Sequence, residues 1–348
     1  MTTKKCKGDI LVFPNFDDIK VSTKTFTATT NLNIQIQELF HKLPITNYTV
    51  IPKKRGRKKK EEIHNPNKNI KQGSIVTVKY IRELRGVELK PKKDKVGKKK
   101  KWFRNSITVV IILDKPINFK VCRNGTFQMT GCKTNEHAEL CVKYIWNYIK
   151  SYTDIYSFKH GNSLEAMFIP CMRNIDFDLG FLVDREKLNK YICIQQQFHC
   201  LLETSFGYTG VNIKIPLTDD IEMMKVKKIV YDSGSGCSAN GINDGWNENW
   251  VTYQEYLKML SNKERDAKLN EVRHNTFLVF HSGKVIMSGL TSEFMRDVYY
   301  YFLSIIREAF EHIEERLEPL NNHEDTNSNE LSLDEEIALI MLEDNTKK

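Results

Sequence analysis

Long apolar runs are missing from this sequence. The longest, Ile107–Leu113, is seven residues with Thr108 inside it, whereas a membrane-spanning helix needs about 20. The opening residues MTTKKCKGDI carry lysines with no apolar core behind them, so neither a secretory signal nor secretion is expected. Paired cysteines are missing as well. The eight cysteines include no C-x-x-C, which argues against zinc ribbons and disulfide scaffolds and for reduced thiols. There is no Walker loop, nucleophile elbow or H-E-x-x-H motif. His199 stands between Cys193 and Cys200 without a second pair and reads as a helix residue. Asn240–Gly245 lacks the closing glutamate of a calcium loop. The expectation is a protein that is not an enzyme, with no catalytic residue, metal or cofactor.

What is there is basic charge, unevenly spread. Of 348 residues, 40% are hydrophobic and 28% charged, as in globular chains, and the net charge is +9. From Glu311 onward the balance is −9, leaving about +18 on the first 310 residues. Lys53–Lys60 (KKRGRKKK) has seven bases in eight positions. Lys90–Arg104 (KPKKDKVGKKKKWFR) has nine bases against Asp94. Fields of this size favour a polyanionic partner, because each phosphate neutralised releases counterions. A solvated loop is the plain alternative for either run.

Residues 1–17 read as a flexible leader. Val21–Leu39 begins β-rich and turns helical near Ile34, Ile36, Leu39 and Phe40. Ser74–Ile81 and Ser106–Leu113 alternate as strands. Asn124-Gly125 marks a hairpin between Phe119–Val121 and Phe127–Met129. Thr134 caps a helix to about Tyr152, with Leu140, Tyr144, Ile145 and Tyr148 on one face. Further on, Ala166–Phe177 is strand-like, Arg185–Leu202 helical and Val211–Ile215 a strand. Thr276–Phe280 and Val285–Met287 flank a second hairpin at Ser282-Gly283, and Ser292 caps a helix to about Leu317. Within 217–274, Thr252 and Glu255 form a capping box.

The two halves resemble each other. Gly125–Gly131 (GTFQMTG) matches Gly283–Gly289 (GKVIMSG) at an offset of 158, and Thr134 matches Ser292 at the same offset. Gly73 and Gly210 each open a strand, and an insertion, 85–104 or 217–274, follows each of those strands. A tandem duplication accounts for this order.

Asn275–Leu290 (NTFLVFHSGKVIMSGL) resembles the hairpin of the TATA-box-binding protein (TBP) family. The resemblance rests on Leu278, Phe280, Ser282, Gly283, Lys284 and Gly289. Tyr208–Lys214 (YTGVNIK) is similar to the family's Phe-Pro-Gly strand, Val21-Ser22-Thr23 to its opening strand, and Asn124-Gly125 with Thr130–Lys133 to its first hairpin. The long insertions make the chain look like a divergent member, similar to TBP-like proteins of large DNA viruses.

The resemblance implies an α+β fold: a duplicated saddle, one curved antiparallel sheet of ten strands with four helices on its convex face. It implies a first repeat at 18–151 with basic insertions 52–71 and 85–104. The second repeat would span 164–318 with insertion 217–274, followed by an acidic tail, 319–348. It implies that Tyr208 and Phe280 are the second-half wedge that enters a base step. Leu278, Ile286 and Ser288 face the minor groove beside them, and Lys214 and Lys284 face phosphates. In the first half, Thr130 faces the groove and Lys133 holds a basic position. The first-half wedge places fall on Cys122 and on Lys71 or Ser74, which implies a single strong kink. The family's two central asparagines fall near Ile19 and Pro170, with Asn174 close by.

Arg55-Gly56-Arg57 resembles the centre of an AT-hook, an arginine pair laid in a narrow A·T minor groove. An import signal and a solvated loop are equally open there. Ser332–Leu342 reads as a capped helix, docked on its own domain, engaging a partner, or folded over the basic groove when DNA is absent. The expected function is a transcription initiation factor that binds and bends AT-rich duplex DNA through the minor groove. It would act as a monomer on DNA and recruit a B-type initiation factor and RNA polymerase. Its expected place is the nucleus or a cytoplasmic site of transcription, a viral factory or virion included, with no membrane. Two alternatives are a protein–protein scaffold that keeps the saddle but has lost TATA-specific binding, and a hydrolase or repair enzyme on a related helix-grip domain.

Overall fold

Strands arise here where β-branched and aromatic residues alternate with polar ones, and tight turns arise where glycine permits a left-handed backbone. The computed structural model describes residues 11–50, 66–89, 103–196, 198–203, 210–232 and 241–315. The run Lys53–Lys60 with Arg55 and Arg57, most of Lys90–Arg104, Tyr208, and Ser332–Leu342 lie outside the described residues.

The first part of the chain forms β1 (Val21–Thr30), β2 (Leu32–Ile34), α1 (Ile36–Lys42), β3 (Ile75–Tyr80) and β4 (Glu83–Gly86). It continues with β5 (Ser106–Ile112), β6 (Pro116–Cys122), β7 (Thr126–Cys132) and α2 (Asn135–Ile149). After β8 (Tyr156–Phe158), which pairs with β2, come β9 (Glu165–Asp178), α3 (Arg185–Tyr191), β10 (His199–Glu203) and β11 (Gly210–Pro216). Then follow β12 (Lys225–Tyr231), β13 (Trp246–Thr252), α4 (Tyr253–Lys258) and α5 (Asn262–Leu269). The last elements are β14 (His274–Phe280), β15 (Lys284–Gly289) and α6 (Ser292–Ile313).

Two long strands make the middle of an antiparallel sheet. β1 and β9 are paired from Val21↔Ile175 to Thr30↔Ala166. Outward from β1 run β7, β6, β5 and β3, with β4 at the edge; outward from β9 run β15, β14, β11 and β10. The β12–β13 hairpin stands off this path, with β12 paired to the start of β9 through Lys227↔Phe168 and Ile229↔Ala166. Gly125 and Gly283 turn the two matching hairpins at φ +69° and +79°. A Cβ on Gly125 would come 2.3 Å from the Leu32 carbonyl oxygen, and one on Gly283 2.2 Å from that of Phe181, so glycine is required for space as well as for backbone angle.

Alternation decides which side of the sheet is dry. In β14, Asn275, Phe277 and Val279 are buried, whereas Thr276, Leu278 and Phe280 are not. One core joins Phe119, Phe127 and Met129 to Leu39 and Phe40 of α1 and Ile145 of α2. A second joins Ile175, Val211, Phe277 and Met287 to Leu188 of α3 and Tyr299, Phe302 and Ile306 of α6. The Phe277 and Phe302 rings stack with centroids 4.0 Å apart. α1, α2, α3 and α6 therefore cover one face, while α4 packs on the other, over Met167 and Ile169.

Several sequence expectations are corrected. The helix from Arg185 passes at Tyr191 into a π-helical turn, Ile192–Gln196, and stops short of the expected Leu202; His199 sits in β10 opposite Lys214, because the β11 edge offers that segment a backbone ladder. Gly73 and Gly210 do not open equivalent strands. β3 is fourth outward from β1, while β11 is third outward from β9. The insertions consequently interrupt different connections. Thr252 is the N-cap of α4 but makes no side-chain cap bond; the capping box is formed by Ser261 and Glu264 at α5. Thr291, not Ser292, occupies the N-cap of α6.

Candidate nucleic-acid interface

Side chains directly opposite one another in an antiparallel ladder share a face. On the face of the second half turned away from α3 and α6, Leu278 lies opposite both Asn212 and Ile286, and Ser288 opposite both Thr276 and Asn174. Gly210 lies opposite Phe280, Lys214 opposite Thr276, and Lys284 opposite Asp178. The sequence-predicted Lys214, Leu278, Phe280, Lys284, Ile286 and Ser288 are thus brought onto one surface. Asn174, Asn212, Leu278, Ile286 and Ser288 line a shallow hollow of about 230 Å³ there. Apolar, hydroxyl and amide groups side by side suit A·T base edges, which present only acceptors in the minor groove.

The first half continues this face with Thr27 and Thr29 of β1, Thr126, Gln128 and Thr130 of β7, and Lys120 and Cys122 of β6. Thr130 is exposed and its hydroxyl donates to the Asn118 carbonyl at 3.4 Å. Lys133 lies beyond β7, at the turn into α2, where its backbone N–H donates to His137 Nδ1 at 3.2 Å. It is exposed but stands at the margin of the face.

The first-half aromatic position differs from expectation. Lys71 and Ser74 precede β3, which is not bonded to β6; the strand beside β6 is β5. The residue leading into β5 is Phe103. Its ring is 70% exposed, and with Lys120, Cys122, Thr126 and Gln128 it lines one hollow of about 550 Å³. Lys120 Nζ lies 4.3 Å from the ring centroid. The sequence signal was a Trp-Phe pair placed just before a strand, hidden at the end of a lysine run. Cys122 is half-buried, and burial pushes its thiol pKa up, so it stays protonated and neutral.

Two more places are corrected. Pro170 lies opposite Phe26, and Ile19 packs against the second core; Asn174, opposite Thr23 and Ser288, is the asparagine that faces outward near the centre. Sequence reasoning missed two acids there. Asp176 lies opposite Ile286 and accepts a hydrogen bond from the Ser22 hydroxyl at 3.3 Å. Asp178 accepts from the Gly180 N–H at 2.9 Å.

The middle of the face is covered. Met167 and Ile169 of β9 lie opposite Thr29 and Thr27, on the side away from the first core. They form a third core with Met224, Val226, Tyr253, Tyr256 and Leu257. The other buried members of that core all come from the insertion 217–274, α4 supplying three of them, and Leu290 and Phe294 pack against it from beyond the insertion. The Thr252/Glu255 motif revealed a helix but not its seat.

Fold and surface together define an α+β protein built on a mostly antiparallel sheet, with α1, α2, α3 and α6 on one face and a mixed polar–apolar surface on the other. No family model matches the sequence. The chain is 26% identical over 302 residues to uncharacterized protein 335L of Invertebrate iridescent virus 6, covering 85% of this chain and 86% of that one. Among solved structures it is similar to the TBP of Methanococcus jannaschii, with 14% identity and a TM-score of 0.41, covering 85% of this chain and 99% of that one.

Proposed function

We propose that the protein binds AT-rich duplex DNA in the minor groove through the face opposite α1, α2, α3 and α6 and bends it, as a TBP-like initiation factor that recruits a B-type factor and RNA polymerase. The two sides of the sheet are read as copies of one unit, centred on β1 and β9, each ending in a hairpin and a long helix. One observation carries the reading: an exposed Phe103 toward one end of the face and Phe280 toward the other, with threonine, asparagine, serine and leucine side chains between. Aromatic wedges at two separated steps, with hydroxyl and apolar groups between, are the chemistry that kinks a duplex toward its major groove. Selection of bound duplexes from a random pool, followed by bend measurement, tests it. Enrichment of AT-rich, bent duplexes is expected, and a pool that stays random rejects it.

A second reading, a protein–protein scaffold, draws on Asp176 and Asp178, since carboxylates on this face repel a polyanion. Retention on heparin with a salt-dependent shift of AT-rich duplex favours the first reading over the second.

A further inference from the structure

We propose that α4 is a cap seated on the DNA face of this same chain, and that it must leave its seat before a duplex can cross β1 and β9. The inference rests on the DNA-binding reading above. Met167 and Ile169 point out of that face, and a duplex running from the first half to the second has to pass over these two central strands. Instead they are closed over by Tyr253, Tyr256 and Leu257. Tyr256 is only 7% exposed, and burial pushes its phenol pKa up.

What remains open beside the cap is too small for a double helix. A hollow of about 560 Å³ runs between Thr27, Thr276 and Ser288 on the sheet and Tyr256, Lys268 and Val272 on the insertion. The minor groove of B-DNA is about 6 Å wide and 7.5 Å deep, and its walls are the rest of the duplex. The hollow admits single side chains, not two strands.

The insertion is divided into a fixed part and a movable part. β12 and β13 are fixed: Ile229 lies in the first core, and Lys227 pairs with both Glu139 of α2 and Glu248 of β13 at 2.8 Å. α4 is a short helix whose N-cap residue makes no side-chain bond, and α5 has no buried residue at all. The insertion leaves β11 and rejoins β14 at opposing positions, Pro216 and His274. α4 and α5 can therefore lift as a flap without breaking a sheet ladder. α5, with no buried residue, is the kind of segment that opens locally; lifting α4 uncovers three buried side chains, and a ligand that binds only the open form shifts the population toward it.

The test uses the full chain carrying Tyr256→Ser with Leu257→Ser, which loosens α4 and leaves β12–β13 intact. Binding to a fluorescent 20-base-pair AT-rich duplex is measured by anisotropy, and amide exchange over 253–258 is followed in the unaltered protein with and without duplex. The expected results are an affinity at least tenfold higher in the variant, and faster exchange of α4 once DNA is added. Equal or weaker binding by the folded variant, with no change in exchange, overturns the cap and leaves the DNA reading standing. If neither protein binds duplex at any salt concentration, the DNA reading falls and takes the cap with it. Should the double variant fail to fold, Leu257→Ala trims the buried contact of α4 alone. It should raise affinity by about threefold, and no rise would overturn the cap.

Discussion

The ammonium of Lys120 lies 4.3 Å from the centre of the Phe103 ring, so an exposed aromatic is held beside the face opposite α2 and α6 by a cation from the neighbouring strand. Such a contact contributes about 0.5–1 kcal/mol at an exposed site. That is enough to bias the ring's orientation and little enough for it to be exchanged for a base step.

Two kinks are expected from this arrangement, in place of the single kink that Cys122 implied. Phe103→Ala and Phe280→Ala should each reduce bending and cost a few kcal/mol of binding, while Cys122→Ala should change neither. Adenine analogues whose fluorescence reports unstacking, placed under each half, resolve the two ends. Unstacking under the second half alone would restore the single-kink picture.

Phe277 and Phe280 share a strand and should behave oppositely. Phe277 is stacked on Phe302 in the second core, so Phe277→Ala should cost about 3–5 kcal/mol of stability. Phe280→Ala should lower the denaturation midpoint far less than Phe277→Ala and act mainly on DNA binding. Denaturant titration beside a binding isotherm separates them, and similar midpoints for the two variants would contradict the assignment of faces.

Asp176 works against a polyanion on the same face. Asp176→Asn keeps a partner for the Ser22 hydroxyl and removes the charge, so affinity for duplex should rise by about 1 kcal/mol, roughly fivefold, at low salt. The gain should shrink as salt is added. An unchanged affinity would favour the scaffold reading.

Salt dependence also counts phosphates. The logarithm of affinity should fall with the logarithm of salt by about 0.9 per phosphate neutralised. Deleting Lys53–Lys60 should flatten that slope if Arg55 and Arg57 reach DNA. An unaltered slope would leave the run as an import signal or a solvated loop.

Glu248 gives a pH signature to the fixed part of the insertion. Its carboxyl is held below the usual value of 4.5, chiefly by the hydrogen bond from Lys227. A depressed acid stabilises the fold above its unfolded pKa, and the contribution is lost as pH falls through the lower folded value. Amide protection of β12 and β13 should therefore weaken below about pH 4.5 in the native chain. In Glu248→Gln it should be weaker already at neutral pH and respond less to acid. Identical pH profiles would show that the Lys227–Glu248 pair does not hold β12 and β13.

Much of the fold was legible because its signals are local. Asn124-Gly125 and Ser282-Gly283 specify turns, Thr134 caps α2 by accepting from the His137 N–H, and the matching hairpins placed Leu278, Phe280 and Ile286 on one surface. The features that were misread depend on distant partners. β10 has a helical-looking approach and becomes a strand only because β11 offers an edge. Phe103 reads as part of a basic run until β5 is seen beside β6. Nothing near Tyr253 and Tyr256 announces Met167 and Ile169, which lie more than eighty positions earlier in the chain.

The β1–β9 ladder has a consequence for target choice. Because the strands are bonded from Val21 to Thr30, the two half-sheets cannot slide apart, and the span from Phe103 to Phe280 acts as a caliper of fixed opening. Targets should then be read by the number of base pairs between two deformable steps as much as by the letters in between. Adding one base pair between those steps should defeat binding even where every remaining contact is kept.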